Sequence, residues 1–588
     1  MSRVESSFTP VRVPAHLKQF VVEQDYARYT PIDQAVWRYV MRQNSSFLGK
    51  RAHETYLEGL RTSGISIERI PDIQEMNESL SQIGWGAVTI DGFIPAVAFF
   101  DFQAHGILPI ACDIRQYDHI AYTPAPDIIH EAAGHSPIIS DEKYRRYLKI
   151  FGDIGSRALS TREDYELYEA IRYLSIVKED PEATIEQMEA AERDLEEKVK
   201  AVTEISEATE LSRLYWWTVE YGLIGDVKNP QIYGAGLLSS VGESMSCLKP
   251  EVAKIPFSLE ACIQTDFDIT KPQPQLFVCR DFDQLIEAVQ EYAKGMALNV
   301  GGTENLLKAK QMGQVATAVY SSGLQVSGVF HEIVRNEEGE AIYLKTAGAT
   351  ALAYGDKQLP GHGKEYHHEG FGSPIGKLKN AQKPLEAYTD HDLLDAGIVL
   401  GKEAALTYES GIHVTGIVRY IHREQDNVVL IGFDECTVTY GEQTLFQAEW
   451  GTFDMAIGER ITSVFAGAAD REEFAVGTHS PSDVKTRRPA YPDEILQLHQ
   501  IFQEIRALRE SQATTDEVQS AVTKILEQLD QQFPQDWLTR LEMLEILTEA
   551  KRLPEIQILL RDKLNQLMSD SEELSQLIHN GLHLLSIE

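Results

Sequence analysis

The chain is poor in cysteine and in basic residues, and both shortages exclude classes of protein. Its 588 residues include only five cysteines, with no CxxC pair, which favours reduced, buried thiols in a cytosolic protein. Lys and Arg total 54 against 90 Asp and Glu, so the formal net charge is −36. Such a chain repels phosphate backbones and anionic lipid, so we expect neither nucleic acid nor a membrane surface as a partner.

Long hydrophobic runs are also missing. No apolar stretch approaches the roughly 20 residues of a membrane helix. Residues 1–13 lack the basic start and apolar core of a signal peptide. We therefore expect a cytoplasmic location. At roughly 150 residues per domain, the length predicts more than one domain.

Patterning divides the chain into three segments. Residues 1–300 are mostly helical by pattern, with a helix predicted over 33–58 and short strands and loops over 84–126. Thr184 and Gln187 have the spacing of a capping box, which predicts a helix start. Residues 493–588 carry apolar stripes at helical spacing, which predict a small helical bundle or an association module. A homo-oligomer formed through these C-terminal helices is therefore a hypothesis.

The middle segment, residues 313–480, contains an internal repeat rich in β-branched and aromatic residues. Tyr-Ser-Ser-Gly at 320–323 recurs as Tyr-Glu-Ser-Gly at 408–411, an offset of 88 (411 − 323). Tyr-Gly-Asp at 354–356 recurs as Tyr-Gly-Glu at 440–442, and Pro-Ile-Gly at 374–376 corresponds to Ala-Ile-Gly at 456–458. Two copies with matched turns predict two similar β-units packed together, as a sandwich or a pair of small barrels.

The strongest chemical signal is the pattern His130-Glu131-x-x-Gly134-His135. Zinc proteases place their two histidines at i and i+4, whereas here the spacing is 135 − 130 = 5, which an ideal α-helix turns by about 140°. Gly134 can end or distort the helix, so that His135 comes from just beyond the turn. Glu220, in an aromatic and apolar stretch, is costly to bury without a cation and is the candidate third ligand. Two imidazoles and one carboxylate are typical of non-haem Fe(II) oxygenases, while zinc is the default for the histidine motif alone.

The blocks around this motif resemble the pterin-dependent aromatic amino acid hydroxylases over about residues 30–295. The resemblance rests on residues 122–127 leading into the histidine motif, on 217–223, and on 233–240, in the order and spacing of that family. It implies a mainly α catalytic domain with short strands over residues 1–300, and it predicts nothing for residues 300–588. Only about thirty residues precede the matched part, so we expect no animal-type N-terminal regulatory domain.

The resemblance also implies roles for individual residues. The implied iron ligands are His130, His135 and Glu220. The implied substrate-binding residues are Arg115, Tyr122, Thr123, Pro126, Trp216, Gly236 and Ser239. The implied pterin-binding residues are Phe93, Ile94, Phe99 and Glu131, and the implied catalytic side chains near pterin and iron are Glu131 and Tyr215. A guanidinium such as that of Arg115 suits bidentate binding of an amino acid carboxylate.

The expected function is therefore an iron- and tetrahydropterin-dependent monooxygenase that converts L-phenylalanine to L-tyrosine with O2. Its expected cofactors are Fe(II) and tetrahydrobiopterin or a related tetrahydropterin. One alternative keeps the family but acts on tryptophan or at another ring position. A zinc hydrolase is a further alternative, which the i, i+5 spacing disfavours. The His-rich stretch 361–369 can bind metal, but a solvated loop is the favoured interpretation.

Overall fold

A computed structural model of the chain describes residues 11–90, 94–117, 120, 127–179, 183–269, 271–476, 491–511, 513–568 and 571–587. Residues 11–312, 313–476 and 491–587 are called the first region, the β region and the C-terminal helices. Among the described residues, no helix combines the length and the apolar character needed to cross a membrane. The five cysteines all lie in the described part, and none forms a disulfide.

The first region is built mainly from helices, with two small sheets in its described part. Its strands are β1 (Val21–Val22), β2 (Gly86–Ile90), β3 (Ile107–Ala111), β4 (Leu223–Asp226), β5 (Asn229–Ile232), β6 (Ala253–Pro256) and β7 (Gln275–Cys279). Its α-helices are α1 (Pro31–Leu48), α2 (Tyr56–Thr62), α3 (Ile73–Ser81), α4 (Ala96–Ala104), α5 (Ser136–Ile139), α6 (Glu142–Gly155), α7 (Arg162–Glu179), α8 (Ile185–Ala201), α9 (Glu207–Tyr215), α10 (Ala235–Ser239), α11 (Val241–Ser246), α12 (Leu259–Gln264), α13 (Phe282–Gly295), α14 (Ala297–Val300) and α15 (Gly302–Met312). Strands β1, β2 and β3 form one sheet, and the other has the order β5-β4-β7-β6.

Two helix predictions have different outcomes. The capping box at Thr184 is confirmed, because its hydroxyl accepts from the Gln187 backbone N–H while the Gln187 side chain accepts from the Thr184 backbone N–H. The single helix predicted over 33–58 is wrong, because α1 ends at Leu48. Gly49 lies at that end, where a Cβ would come within 2.9 Å of the Ser45 carbonyl oxygen.

The short strands expected in residues 84–126 are present as β2 and β3, but helix α4 lies between them where only strands and loops were expected. It begins after Pro95 and continues to Ala104, between the parallel strands β2 and β3. Its sequence is apolar on nearly every side and therefore has no helical period for a pattern to detect. The position of α4 matters because it carries Phe99 towards the predicted iron ligands.

The β region repeats one strand sequence in two sheets. Its elements are β8 (Val315–Tyr320), β9 (Leu324–Arg335), β10 (Ala341–Tyr354), β11 (Lys357–Gln358), β12 (Gly372–Pro374), α16 (Asp390–Asp395), β13 (Glu403–Thr407), β14 (Ile412–Glu424), β15 (Asn427–Tyr440), β16 (Gln443–Phe446), β17 (Phe453–Ala456), β18 (Ile461–Ala466) and α17 (Arg471–Ala475). One sheet has the order β11-β10-β9-β8-β18 with β12 on β10, and the other has the order β13-β14-β15-β16 with β17 on β15. The repeat offset of 88 thus superposes the turn between β8 and β9 on the turn between β13 and β14.

The segment that follows each β-unit in the chain pairs with the other β-unit. Strand β18, which follows the second unit, pairs with β8 of the first, and Leu378, which follows the first unit, pairs with Tyr408 at the start of the second. The units also meet where the Gly376 backbone N–H donates to the Gly458 carbonyl at 3.0 Å. These matching glycines are the ones that the repeat aligned.

The C-terminal helices are α18 (Asp493–Glu510), α19 (Thr515–Gln532), α20 (Leu538–Glu549), α21 (Pro554–Leu567) and α22 (Glu572–Ile587). Their apolar stripes belong to the same buried cluster as the core of the first region. Buried Arg38 on α1 is ion-paired with Glu545 on α20, and Arg509 on α18 donates to Glu542 at 3.2 Å. The stripes that suggested association with other chains are therefore covered within this chain.

The β region is also tied to the first region. Arg471 on α17 forms an ion pair of 2.6 Å with Asp101 on α4 and donates to the Ser156 carbonyl at 2.7 Å. Helix α15 packs into the core of the β region through Leu306, Ala309 and Met312. The domain boundaries predicted at residues 300, 313–480 and 493–588 stay a prediction.

Candidate active site

Both segments that carry the predicted iron ligands are π-helical. One spans Ile129–His135 and the other spans Trp216–Glu220. Hydrogen bonds in a π-helix join residues five apart, so i and i+5 lie about one turn apart, as i and i+4 do in an α-helix. The spacing of His130 and His135 therefore places both rings on one side. The chain stays helical through Gly134 and continues into α5, so the expectation that His135 follows the end of a helix is wrong, whereas the expected distortion is present.

The structure brings His130, His135 and Glu220 together. Nε2 of His130 lies 3.2 Å from Oε2 of Glu220, and Nε2 of His135 lies 3.2 Å from Oε1 of the same carboxylate. Glu131 is a second carboxylate nearby, with its Oε2 at 3.8 Å from Nε2 of His135. Glu220 is the better third ligand by distance, because each of its oxygens faces one imidazole.

The electrostatics of this cluster fit a cation. Burial alone would raise the pKa of Glu220, yet the adjacent imidazoles His135 and His130 hold it well below its usual range. Burial raises the pKa of Glu131. Nδ1 of His135 and Oε2 of Glu131 are buried without a hydrogen-bond partner among the described residues. Buried polar atoms are rarely left unsatisfied, and a metal ion among them would satisfy the donor set of two imidazoles and a carboxylate.

Ser239 fixes the orientation of His130. Its Oγ donates to the Ala235 carbonyl at 2.8 Å and lies 3.0 Å from Nδ1 of His130. Because Ser239 donates its hydroxyl hydrogen to that carbonyl, its Oγ accepts a hydrogen bond from Nδ1–H of His130. This tautomer leaves the lone pair on Nε2, which is the nitrogen that faces Glu220.

Glycines allow the ligand-bearing segments to approach closely. A Cβ at Gly134 would come within 2.6 Å of the Ala235 carbonyl oxygen, and one at Gly234 would come within 2.5 Å of the Glu220 carbonyl oxygen. Gly236, predicted to bind substrate, lies where a Cβ would come within 2.9 Å of the Tyr221 ring. The structure thus places Gly236 at the contact between α10 and the second π-helix.

Aromatic side chains from α4 and α9 line one side of the cluster. The Phe99 ring lies 6.1 Å from the His135 ring and 6.0 Å, edge to face, from the Tyr215 ring. The hydroxyl of Tyr215 accepts from Nε2 of Gln103 at 2.6 Å, and Oε1 of Gln103 is buried without a partner among the described residues. Gln103 was not predicted, because it lies on the helix that the pattern did not reveal. Ile94 packs in a separate apolar cluster with Ala98 and Phe102.

Arg115 is held by a buried carboxylate. Its Nε and Nη2 donate to Oδ2 and Oδ1 of Asp127 at 2.8 and 2.9 Å, and its backbone N–H donates to Oδ2 at 3.0 Å. Asp127 also accepts from the backbone N–H of His130 at 3.0 Å. Burial alone would raise the pKa of Asp127, but the Arg115 guanidinium lowers it. Asp127 therefore joins the predicted substrate-binding arginine to the first π-helix, a role that the sequence did not reveal.

Trp216, on the second π-helix, lies between two aromatic rings. It stacks on Phe267 at 4.3 Å and on Tyr221 at 4.6 Å, and its Nε1 donates to Gln273 at 3.4 Å. Tyr221 in turn donates to Glu243 at 2.8 Å. Of the other predicted site residues, Phe93, Tyr122, Thr123 and Pro126 lie outside the described residues.

Comparison with known proteins finds similarity in the first region of the chain. The family model described as biopterin-dependent aromatic amino acid hydroxylase matches residues 20–175 and 200–301. Phenylalanine-4-hydroxylase of Mesorhizobium japonicum is 28% identical over 274 residues, which cover 46% of this chain and 83% of that protein. Its counterpart in Ralstonia nicotianae is 29% identical over 273 residues, covering 46% of this chain and 73% of that protein. The crystal structure of Chromobacterium violaceum phenylalanine hydroxylase with Fe(III) is 28% identical, with a TM-score of 0.38, and covers 46% of this chain and 84% of that one.

The site has the two imidazoles and one carboxylate that are typical of non-haem iron enzymes. Through residues 20–175 and 200–301, the chain is similar to the biopterin-dependent aromatic amino acid hydroxylases.

Proposed function

We propose that the protein is a phenylalanine 4-monooxygenase that converts L-phenylalanine to L-tyrosine with O2, Fe(II) and a tetrahydropterin. The observation that carries this proposal is the convergence of His130, His135 and Glu220 from two π-helices. The bacterial relatives that cover this region are named phenylalanine-4-hydroxylases, which supports phenylalanine as the substrate.

His130, His135 and Glu220 would hold the iron, and Glu131 lies next to it. Bound Fe(II) and tetrahydropterin supply O2 binding and the two electrons needed for ring hydroxylation. Three protein ligands leave coordination positions open, which this chemistry requires. Phe99, beside His135 and Tyr215, is the proposed stacking partner of the pterin, with Phe93 and Ile94 at its edge.

Arg115 would bind the substrate carboxylate. Asp127 occupies its Nε and Nη2 edge, and Nη1 donates to the Ile120 carbonyl at 3.4 Å. A guanidinium has five N–H donors, so two remain for a carboxylate. Since Asp127 also holds the backbone of His130, the substrate carboxylate and the metal would be kept in a fixed relation, which positions the ring for attack.

The aromatic wall would orient the substrate ring and exclude water. Trp216 is fixed between Phe267 and Tyr221, so the edge of its ring would be the rigid apolar surface that faces the substrate. Gly236 keeps α10 close to this wall. Together with Tyr122, Thr123 and Pro126, these residues form the proposed ring and carboxylate pocket. A dry, shaped pocket is needed because a misplaced ring would waste the oxidant.

The remaining assignments are also proposals. A catalytic domain over 1–300, a duplicated β domain over 313–480 and a helical domain over 493–588 fit the succession of elements. A cytoplasmic location is supported by five cysteines outside disulfides. Self-association through the C-terminal helices would have to use their exposed apolar residues, such as Ile558 and Leu559. Light scattering on the full chain tests that association.

The test of the reaction is product identification. Purified protein is loaded anaerobically with Fe(II), tetrahydropterin and phenylalanine, air is admitted, and the aromatic products are separated. We expect tyrosine in the wild type and none in Glu220→Ala, while Glu204→Ala, which removes an exposed carboxylate, keeps full activity. Tyrosine formation by Glu220→Ala would refute the ligand assignment, and a hydroxylated tryptophan or a different ring position would refute the substrate.

A further inference from the structure

A second cluster of metal-binding side chains lies in the β region, apart from the candidate active site. His362 and His367 lie in the loop between β11 and β12, and Asp454 lies on β17. One donor atom from each of these three residues lies within 4.8 Å of the other two. The cluster therefore draws on both β-units and shares no residue with the candidate active site.

Burial separates these residues from the rest of their loop. His367 and Asp454 are only 7% and 5% exposed, and His362 is half-buried. His368 and Glu369 in the same loop are exposed, as the sequence predicted for the whole stretch. The prediction of a solvated loop is thus wrong for His362 and His367, because the loop folds back against β10 and β14.

The distances within the cluster suit a metal ion. Nδ1 of His362 lies 3.2 Å from Nε2 of His367. Two imidazole nitrogens bound tetrahedrally to one zinc ion lie about 3.3 Å apart, given Zn–N bonds of about 2.05 Å. Asp454 accepts a short hydrogen bond from the Tyr420 hydroxyl, and within the described ranges no Lys or Arg forms an ion pair with it. Burying a carboxylate is costly, and a bound metal would place positive charge directly beside the carboxylate of Asp454.

The backbone fixes the two histidines before any ion binds. The Leu352 backbone N–H donates to the His362 carbonyl at 2.9 Å, and the Thr350 backbone N–H donates to the His367 carbonyl at 3.1 Å. Both donors belong to β10, a strand of 14 residues. Tyr420 lies over Gly432 of the neighbouring strand, where a Cβ would come within 2.1 Å of its ring. Such support keeps donor atoms in a binding geometry.

The duplication supplies an internal comparison. In the aligned repeat, Asp454 corresponds to Gly372 (456 − 374 = 82, and 454 − 82 = 372), where the Tyr343 hydroxyl takes up the space that a side chain would need. The connection that carries the histidines is four residues longer in the first unit, since 374 − 354 = 20 and 456 − 440 = 16. The second β-unit therefore forms the same strands without the longer connection that carries the histidines, and the first forms them with Gly372 in place of an aspartate. The strand arrangement alone thus does not require His362, His367 or Asp454.

We propose that His362, His367 and Asp454 form a binding site for a divalent first-row transition metal ion, with Zn2+ as the probe of choice. Two imidazoles and one carboxylate suit such ions, and three protein donors leave at least one position for water or a small ligand. Tyr420 orients the carboxylate of Asp454. The site is independent of the iron and pterin chemistry proposed for the first region.

The test counts metal ions in a tag-free full chain whose candidate iron site is disabled by His130→Ala and His135→Ala. After chelation and gel filtration, this parent is titrated with Zn2+, and bound metal is measured by mass spectrometry. We expect one tightly bound equivalent in the parent and none when His367→Gln or Asp454→Asn is added. The exposed neighbour His368→Gln is the matched control and should keep that equivalent.

Two further measurements guard against a variant that fails to fold. The parent should melt at a higher temperature with Zn2+ than without it, since an ion that binds only the folded chain stabilises it, and the added variants should lose this shift. Co2+ in the parent should give visible absorption bands that disappear in Asp454→Asn. A parent that binds no metal, or a folded His367→Gln variant that binds as much as the parent, would overturn the proposal.

Discussion

At the scale of single residues, Ser239 is expected to control metal affinity without touching the metal. Ser239→Ala removes the acceptor for Nδ1–H of His130 but keeps the backbone of α10. Losing such a partner typically weakens metal binding by about 10- to 100-fold. Titration of the metal-free protein with Fe(II) or Co2+ measures the change. Ser246→Ala, which loses only a bond to a backbone carbonyl, is the control, and equal affinities in the two variants would contradict the role of Ser239.

Asp127 is expected to matter because its carboxylate holds the Arg115 guanidinium in place. Asp127→Asn leaves the Arg115 guanidinium buried without its carboxylate, a change that typically costs roughly 3–5 kcal/mol of folding free energy. Because the freed arginine no longer faces a fixed direction, we also expect a higher KM for phenylalanine than in the wild type. Urea denaturation and steady-state kinetics measure the two effects. Wild-type stability and KM in Asp127→Asn would show that the pair does not position the substrate.

At the scale of elements, the site depends on how closely α10 packs against the first π-helix. Gly134→Ala would place a Cβ within 2.6 Å of the Ala235 carbonyl oxygen, so one element must shift. Overpacking of this kind typically costs about 1–3 kcal/mol, and here it also moves His135 relative to Ser239 and Glu220. We expect the Gly134→Ala protein that remains folded to bind metal more weakly than the wild type, so the loss of affinity is not explained by unfolding. Titration of the folded protein with Co2+ measures it.

Gly242→Ala is the matched control for this element. Gly242 lies on α11, close to α10 in the chain, but a Cβ there would meet nothing within 4 Å. We expect it to bind metal as the wild type does, and to be equally stable or slightly more so, because alanine is the better helix former. A Gly134→Ala variant indistinguishable from Gly242→Ala would mean that the close approach is not required.

The elements also show what the sequence could and could not reveal. The trio of His130, His135 and Glu220 could be predicted, because a buried carboxylate and closely spaced histidines are costly unless they share a cation. Helix α4 could not, since a helix that is apolar all round has no period, and Gln103 was missed with it. The partner of Arg115 was missed as well, because three aspartates lie within twelve residues of it and only the folded chain selects Asp127.

At the scale of the whole molecule, the C-terminal helices complete the first region instead of standing apart from it. The Tyr39 hydroxyl on α1 donates to the Leu577 carbonyl on α22 at 2.7 Å. The Trp537 ring packs between Tyr39 and Tyr117, at 5.1 and 6.2 Å. An apolar stripe in a sequence indicates that something covers it but not what does. Here α1 packs against α18 and α22, and the sequence pattern alone could not distinguish this internal contact from an oligomer.

This arrangement links the C-terminal helices to the segment that carries Arg115. The Tyr117 hydroxyl, two residues from Arg115, donates to Oδ1 of Asp536 at 3.3 Å, and the Thr539 backbone N–H donates to Oδ2 at 3.2 Å. Burial raises the pKa of Asp536 to about 6. The folded chain therefore holds a proton on this carboxyl at pH values where the unfolded chain has released it.

The consequence is a pH dependence that a single substitution should remove. Because the pKa of Asp536 is higher in the folded chain than its ordinary value of 3.8, its contribution to stability is full below pH 3.8 and is lost as the pH rises towards about 6. A difference of about two pKa units corresponds to roughly 3 kcal/mol at most. We expect Asp536→Asn, which cannot ionise, to lose less stability than the wild type between pH 4.5 and pH 7.5 in urea denaturation. Each protein is compared with itself at the two pH values, so any effect of the substitution that does not depend on pH cancels. Equal losses of unfolding free energy in the two proteins would show that Asp536 is ionised in the folded chain throughout this range.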